Sequence, residues 1–402
     1  MKMILTAVLL LSGLATGFLQ GQNNARLEPE EFAIMPWGWT PGDLSTLKDI
    51  YDCGFNLAGF VRIEDLKNVS RAGLKAIVYE NSIQVGDAEA ELGNAEISKR
   101  VNDVARKTSG NPAVYGYYLR DEPGTSAFGG LKRWKDTWAT AAPGKVSYIN
   151  LFPNYANNSE QLKANDYNDY VERYIETVKP SFISYDNYSL MKDGTLRKGY
   201  FENLATIRDA ALKNNIPFWN IVLSNAHFDY MDPSYEGLCF QLYTTLAYGA
   251  RGISYFTYFA PKHGNYRYAP VDQFGNKTPV WYILQNINLQ MHAMGKVYVK
   301  LKSVNVFHFP KSEECANGLE SSLFLASLRG DDLVVGEFEG EDKTPHVIVV
   351  NKSLTKSHNI TLSFREQGKV YQINNYTGNP EPFSGESTWL APGQGRILFL
   401  KK

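Results

Sequence analysis

The string Tyr115-Gly116-Tyr117-Tyr118-Leu119-Arg120-Asp121-Glu122-Pro123 sets two adjacent acids directly after an apolar run. A carboxyl that keeps its proton near neutrality can hand it to a leaving oxygen. A second, ionised carboxylate can then attack the opposite face or activate water there. Glu122 is the candidate proton donor, because Pro123 stiffens the turn and aims the acid. A purely structural account would have Asp121 capping the next helix beside Pro123 and Glu122 in solvent. Asp186, in Ile183-Ser184-Tyr185-Asp186-Asn187-Tyr188, is the candidate partner, as nucleophile or base, against a structural role holding a loop. Glu80, after the run Leu74–Tyr79, is the third acid. Asp121 is expected to contact a ligand hydroxyl or, as a nearby like charge, to tune Glu122.

Other residues at the ends of apolar runs suit a polyhydroxylated ligand. Asn150, Asn225 and His227 offer donors and acceptors, while Trp37, Trp39, Tyr188, Trp219 and Tyr258 offer flat faces for C–H surfaces. His227 could orient a hydroxyl or a carboxylate, although a lone histidine is more often structural. Trp134, Trp138 and Trp281 fall on helical stretches and are expected to pack. The six histidines lack metal-ligand spacing and the three cysteines, Cys53, Cys239 and Cys315, are isolated, so no metal and no cofactor is implied.

These residues need a scaffold, and the chain's texture supplies one. Between Phe32 and Leu301, eight short apolar runs alternate with amphipathic stretches: Ala33–Trp37, Asn56–Val61, Leu74–Tyr79, Val114–Leu119, Val146–Leu151, Phe182–Tyr185, Phe218–Leu223 and Ile253–Phe256. Eightfold strand–helix alternation predicts a (β/α)8 TIM barrel over residues 30–300, and every candidate above then stands where a strand gives way to its βα-loop. A doubly wound sheet would show a Gly-rich first turn, and none follows Ala33–Trp37. After Leu301 the runs Ser322–Leu328, Asp332–Phe338, His346–Val350, Ile360–Phe364, Val370–Ile373 and Arg396–Leu400 are β-rich and separated by turns. Residues 301–402 therefore predict a small C-terminal antiparallel β-sandwich packed on the barrel.

The 402 residues carry 41 Lys+Arg against 42 Asp+Glu, a formal net charge of −1, which gives no footprint for nucleic acid or an anionic membrane. At 44% hydrophobic the chain is not disordered, and its 13% aromatic content leans towards stacking on sugar rings. Met1-Lys2 followed by an apolar run through Ala15 reads as a signal peptide, residues 1–22, with cleavage between Gly17 and Asn24. The expectation is an exported protein, periplasmic or extracellular, with no integral membrane segment.

Asp121-Glu122-Pro123 resembles the strand-4 motif of the large clan of retaining (β/α)8 glycoside hydrolases, above all its bacterial β-galactosidase-like members. There the acid/base Glu commonly stands in Asn-Glu-Pro. Leu246-Ala247-Tyr248-Gly249-Ala250-Arg251-Gly252-Ile253-Ser254-Tyr255-Phe256 is similar to the helix-7-to-strand-8 passage of such enzymes. Val349-Val350-Asn351-Lys352 and Pro392-Gly393 look like their C-terminal β-domains. The resemblance implies a glycosidase acting on an oligosaccharide or polysaccharide with Glu122 as acid. It also implies a nucleophilic Glu at the end of strand 7, where Pro217–His227 offers no carboxylate and Glu236 comes too late. Asp186 is the substitute, as in α-galactosidase-like barrels that pair acids after strands 4 and 6. The missing strand-7 acid also supports a second reading, a catalytically silent glycan-binding barrel serving a carbohydrate uptake system.

Overall fold

The computed structural model describes residues 31–108, 110–313, 315–385 and 388–401, so the expected signal peptide lies outside the described residues. Each of the eight apolar runs is a strand: β1 (Ala33–Pro36), β2 (Leu57–Val61), β3 (Lys75–Val78), β4 (Val114–Asp121), β5 (Val146–Leu151), β6 (Ile183–Asp186), β7 (Phe218–Leu223) and β8 (Gly252–Phe256). They form one parallel sheet in the order β1-β8-β7-β6-β5-β4-β3-β2. β2 and β7 are buried throughout, which is why parallel strands covered on both faces read as unbroken apolar runs. The sheet curls until its edges meet: the Phe60 amide donates to the Gly38 carbonyl at 3.0 Å, and the Thr40 amide to the Phe60 carbonyl at 3.1 Å. Only glycine fits this seam at position 59, since a Cβ there would stand 2.3 Å from the Pro36 carbonyl oxygen. Eight parallel strands thus make a TIM barrel.

The helices are α1 (Leu44–Asp52), α2 (Leu66–Ala72), α3 (Asp87–Ala90), α4 (Asn94–Thr108), α5 (Phe128–Ala141), α6 (Tyr167–Val178), α7 (Tyr200–Asn214), α8 (Tyr235–Ala247) and α9 (Pro279–Tyr298). Side-chain caps start several of them: Asp43 accepts from the Thr46 amide, Ser234 from Gly237 and Thr278 from Val280, with Pro279 in the first turn. Inside the barrel, Trp37, Phe60, Ile77, Tyr148, Phe182 and Trp219 belong to one packed layer system. The expected packing tryptophans are buried, Trp134 and Trp138 on α5 and Trp281 on α9.

The tail contains β9 (Lys302–Phe309), β10 (Leu325–Arg329), β11 (Leu333–Glu339), β12 (Pro345–Asn351), β13 (His358–Asn359), β14 (Thr361–Phe364), β15 (Lys369–Ile373), β16 (Pro380–Pro382), β17 (Trp389–Leu390) and β18 (Gly395–Lys401). Six of these form an antiparallel sheet in the order β16-β15-β18-β12-β11-β9, and the pairs β10-β14 and β13-β17 make the second layer of the sandwich. Phe307, Val335, Val347, Val349 and Leu398 fill the space between, with Leu325, Ile360 and Leu390 opposite. The other face of the large sheet lies on α8, whose residues from Gly237 to Ala247 are all buried. Four strands escaped the sequence pattern: the short β13, β16 and β17, and β9, where Ser303, Asn305 and His308 interrupt the apolar residues so that no continuous run forms.

Candidate functional site

Strand register brings the acids together. β4 ends at Asp121, which pairs with Asn150 on β5, and Asn150 pairs with Ser184 on β6. Asp186 is two residues beyond Ser184 and therefore on the same face of its strand. After Asp121 the chain turns sharply: Glu122 has φ +46° and its amide donates to the Asn150 carbonyl at 2.8 Å. A left-handed backbone at a residue with a Cβ costs about 1 kcal/mol. Here it swings the Glu122 side chain back over the barrel mouth, beside Asp121 and within hydrogen-bonding reach of the Asp186 carboxyl.

Three carboxyls thus meet at the barrel mouth, and all three are raised. Burial and then the Asp121 charge push Glu122 up to about 7. Burial, then Glu122, then Asp121 push Asp186 well above the carboxylate range. Asp121 lies at the exposed end of β4, where the protein around its carboxyl still raises it, against hydrogen bonds from Asn150 and the Glu122 amide. No lysine or arginine contributes to any of the three. Three charges so placed without a cation repel strongly, so Glu122 and Asp186 titrate as a pair that holds at least one proton at neutral pH.

The neutral donor among them is Asn150. Its Nδ2 donates to Asp121 Oδ1 at 3.0 Å and to Asp186 Oδ1 at 2.8 Å. Ser184 Oγ donates to Asn150 Oδ1 at 2.9 Å, and the Tyr148 hydroxyl lies 2.8 Å from Ser184 Oγ. That chain fixes which end of the amide faces the acids. Asn150 is fully hydrogen-bonded and buried, so the ligand contact expected of it is corrected: its amide serves the carboxylates instead.

Tyrosines surround the acids. Burial and the carboxylate charges together raise Tyr118, Tyr155 and Tyr188, so all three are neutral hydroxyl donors at working pH. The Arg197 guanidinium lies 4.3 Å over the Tyr155 ring and its Nε donates to the Tyr188 carbonyl at 3.2 Å, which locks that wall. Tyr188 also stacks on Phe256, with centroids 5.6 Å apart. Tyr155 and Arg197 escaped the sequence reading because they lie within loops rather than at strand ends.

Beside the acids, over β1 to β3, opens a cleft of about 530 Å³ lined by Trp39, Phe60, Arg62, Glu64, Tyr79, Glu80 and Asn81. Trp39 is 46% exposed, with the Arg62 guanidinium 4.8 Å over its ring. Tyr79 stacks on Tyr118 at 5.9 Å, joining the cleft to the acids. Glu80 belongs to this wall and not to the carboxyl cluster. Trp37 lies beneath, edge-on to Phe60 and Tyr118.

Two expected sugar platforms are corrected. Trp219 is 0% exposed and wedged among Tyr115, Tyr148 and Phe182, because it is the second residue of β7 and lies low in the barrel. Tyr258 is buried outside the mouth, where its hydroxyl accepts from Trp281 Nε1 at 2.8 Å. Just past β7, Asn225 donates to Thr257 Oγ1 at 2.9 Å and its Oδ1 stands 3.1 Å from His227 Nδ1. Burial and Arg267 lower His227, so it is neutral, with its proton on Nδ1 facing that oxygen. It stacks on Tyr266 at 4.9 Å. No carboxylate stands on β7, and Glu236 belongs to the first turn of α8. Among the described residues no group of three or more His, Cys, Asp or Glu is placed to hold a metal ion, and no helix is long and apolar enough to cross a membrane.

No family model matches the chain, and no curated protein matches it. Solved structures do share the fold. A catalytic mutant of a GH42 β-galactosidase from G. stearothermophilus superposes with a TM-score of 0.59 at 8% identity, covering 93% of this chain and 98% of that one. A glycoside hydrolase family 5 protein from Bacteroides vulgatus ATCC 8482 gives 0.56 at 12% identity over 92% and 89%. A β-galactosidase from the psychrophilic Marinomonas ef1 gives 0.51 at 10% identity, and the chain spans 62% of that enzyme's length. At these identities the likeness establishes the barrel fold alone.

Proposed function

We propose that the chain is a glycoside hydrolase, exported by its N-terminal apolar segment, that cleaves oligo- or polysaccharides with Glu122 as proton donor and Asp186 as the partner carboxylate. One observation carries the reading: two carboxyls at the barrel mouth, held close together without a cation, that must keep a proton at neutral pH. A glycosidic oxygen inserted between them receives that proton from Glu122 as the bond to the anomeric carbon breaks. Asp186, then ionised, faces the developing positive charge. Carboxyls in mutual reach leave no room for the water that inversion requires at ~6.5–9.5 Å, and fit the ~5 Å of retention better. Asp186 is therefore the nucleophile in this reading. The cleft over β1 to β3 holds sugar units on one side of the bond, with Trp39 and Tyr79 under their C–H faces and Glu64, Glu80 and Asn81 for hydroxyls.

The test is a panel of aryl glycosides and plant and algal oligosaccharides. Glu122→Gln should lower turnover of unactivated oligosaccharides by about 10²–10⁴, and of aryl glycosides with good leaving groups far less. Asp186→Ala should be dead, and azide should restore activity on an activated substrate with a product of inverted anomeric configuration. Normal turnover of an oligosaccharide by Glu122→Gln would remove it from the mechanism. A wild type that binds glycans and cleaves none would establish the silent-barrel reading.

A further inference from the structure

Asp186 presents a difficulty that the glycosidase reading leaves open. A nucleophile must ionise, yet this carboxyl is 4% exposed and faces two other acids. The titratable groups around it come from every packed element. Asp121 and Glu122 come from β4 and its turn, Tyr148 from β5, Tyr155 from the following loop, Tyr167 from α6, and Tyr185 and Tyr188 from β6 and its loop. None is a cation, and Arg197 reaches only the Tyr155 and Tyr230 rings and their neighbours.

One side chain offers compensation. The Asn150 amide nitrogen has two hydrogens, and the structure directs them to Asp186 at 2.8 Å and Asp121 at 3.0 Å. The amide cannot turn over, because Ser184 Oγ holds its oxygen at 2.9 Å and Tyr148 backs the serine. A donor pointed at a carboxyl favours its charged form, and in a buried site such a bond is strong. We propose that Asn150 is a positioning residue: its fixed amide lowers the cost of charge on Asp186 and Asp121 where no cation is near, and so eases passage of the shared proton from Asp186 to Glu122. The proposal rests on Glu122 and Asp186 being the working pair.

The experiment is the titration of Asp186 in Asn150→Ala and Asn150→Asp, followed in full-length protein by carboxyl ¹³C NMR of aspartate-labelled samples. The Asp186 resonance is the one lost in Asp186→Asn. The same variants are assayed for the acid limb of kcat/KM on an activated aryl glycoside. Losing a hydrogen bond to a charged group should move the Asp186 titration and the acid limb upward by about one pH unit, so activity on that limb falls about tenfold while the plateau at higher pH recovers. Asn150→Asp keeps the shape but exchanges a donor for a fourth acid. It should shift the limb at least as far as alanine, whereas a residue needed only for packing would tolerate aspartate better. Should Asn150→Ala not fold, Ser184→Ala frees the amide to rotate, and a smaller upward shift is expected. An unmoved Asp186 titration in a folded variant overturns the proposal, as does a uniform loss of activity at all pH values. If the wild type cleaves nothing in the panel, the glycosidase reading fails, and the NMR shift still decides the role of Asn150.

Discussion

Glu122→Gln should make the protein more stable, and only above about pH 5. In the unfolded chain this carboxyl ionises near its ordinary value of 4.5, while in the fold burial and Asp121 hold it up to about 7. The folded protein therefore binds the proton more tightly than the unfolded chain between those values. Stability from this group is complete below pH 4 and is lost as pH rises through 7. The interval from 4.5 to about 7 is roughly 2.5 pH units, or at most about 3 kcal/mol, because the carboxyl is partly solvated and shares its proton with Asp186. Glutamine cannot ionise, so it escapes the whole loss and still offers an amide to Asp186. At ~2–4 °C per kcal/mol for large domains, the variant should melt about 5 °C higher at pH 8.5 and no higher at pH 4.5. Calorimetry of both proteins at pH 4.5, 6, 7 and 8.5, at constant ionic strength, reads this directly. An equal gain at pH 4.5 and 8.5 would assign the effect to packing. A loss at pH 8.5 would mean that the fold does not hold the carboxyl protonated, and the reasoning on the cluster would be wrong.

Other outcomes follow from the same geometry. Trp39→Ala should raise KM for oligosaccharides about tenfold through lost stacking, and leave turnover of aryl monoglycosides near normal, as steady-state kinetics on substrates of increasing length will read. Gly336→Val should destabilise by several kcal/mol, since a Cβ there would stand 2.1 Å from the Ala247 carbonyl oxygen; a Tm within 2 °C of wild type would refute the close docking of sheet on helix. A chain ending at Leu301 should aggregate, because it uncovers α8, and light scattering of the purified product is the check.

The barrel was legible because parallel strands buried on both faces advertise themselves as continuous apolar runs, and all eight appeared that way. β9 did not, since the polar residues Ser303, Asn305 and the buried His308 break its run. Glu122, Asp121 and Asp186 could be picked out by type and by position after a strand. The tuning of Glu122 by Asp121 could be expected from their adjacency, but the Asn150 amide that links Asp121 to Asp186 could not, because it depends on the register that aligns Asp121, Asn150 and Ser184 across three strands. Trp219 and Tyr258 show the limit of reading by residue type. An aromatic near a strand end serves a ligand only if it stands high and points inward; Trp219 stands low and Tyr258 points towards Trp281. Tyr155 and Arg197 meet only because two loops fold against each other, and no periodicity records that.

The order of strands in the tail has a consequence for biosynthesis. β18, residues 395–401, is not at the edge of its sheet but between β12 and β15. A ribosome delivers β11 and β12 long before it, and until it arrives β12 has one open side and β15 has no place to join. α8 waits as well, exposed on the face that this sheet will cover. The molecule therefore cannot complete itself domain by domain as it emerges. Its tail closes after residue 401 has left the exit tunnel, and a holdase that shields α8 during that interval should raise the yield of folded protein.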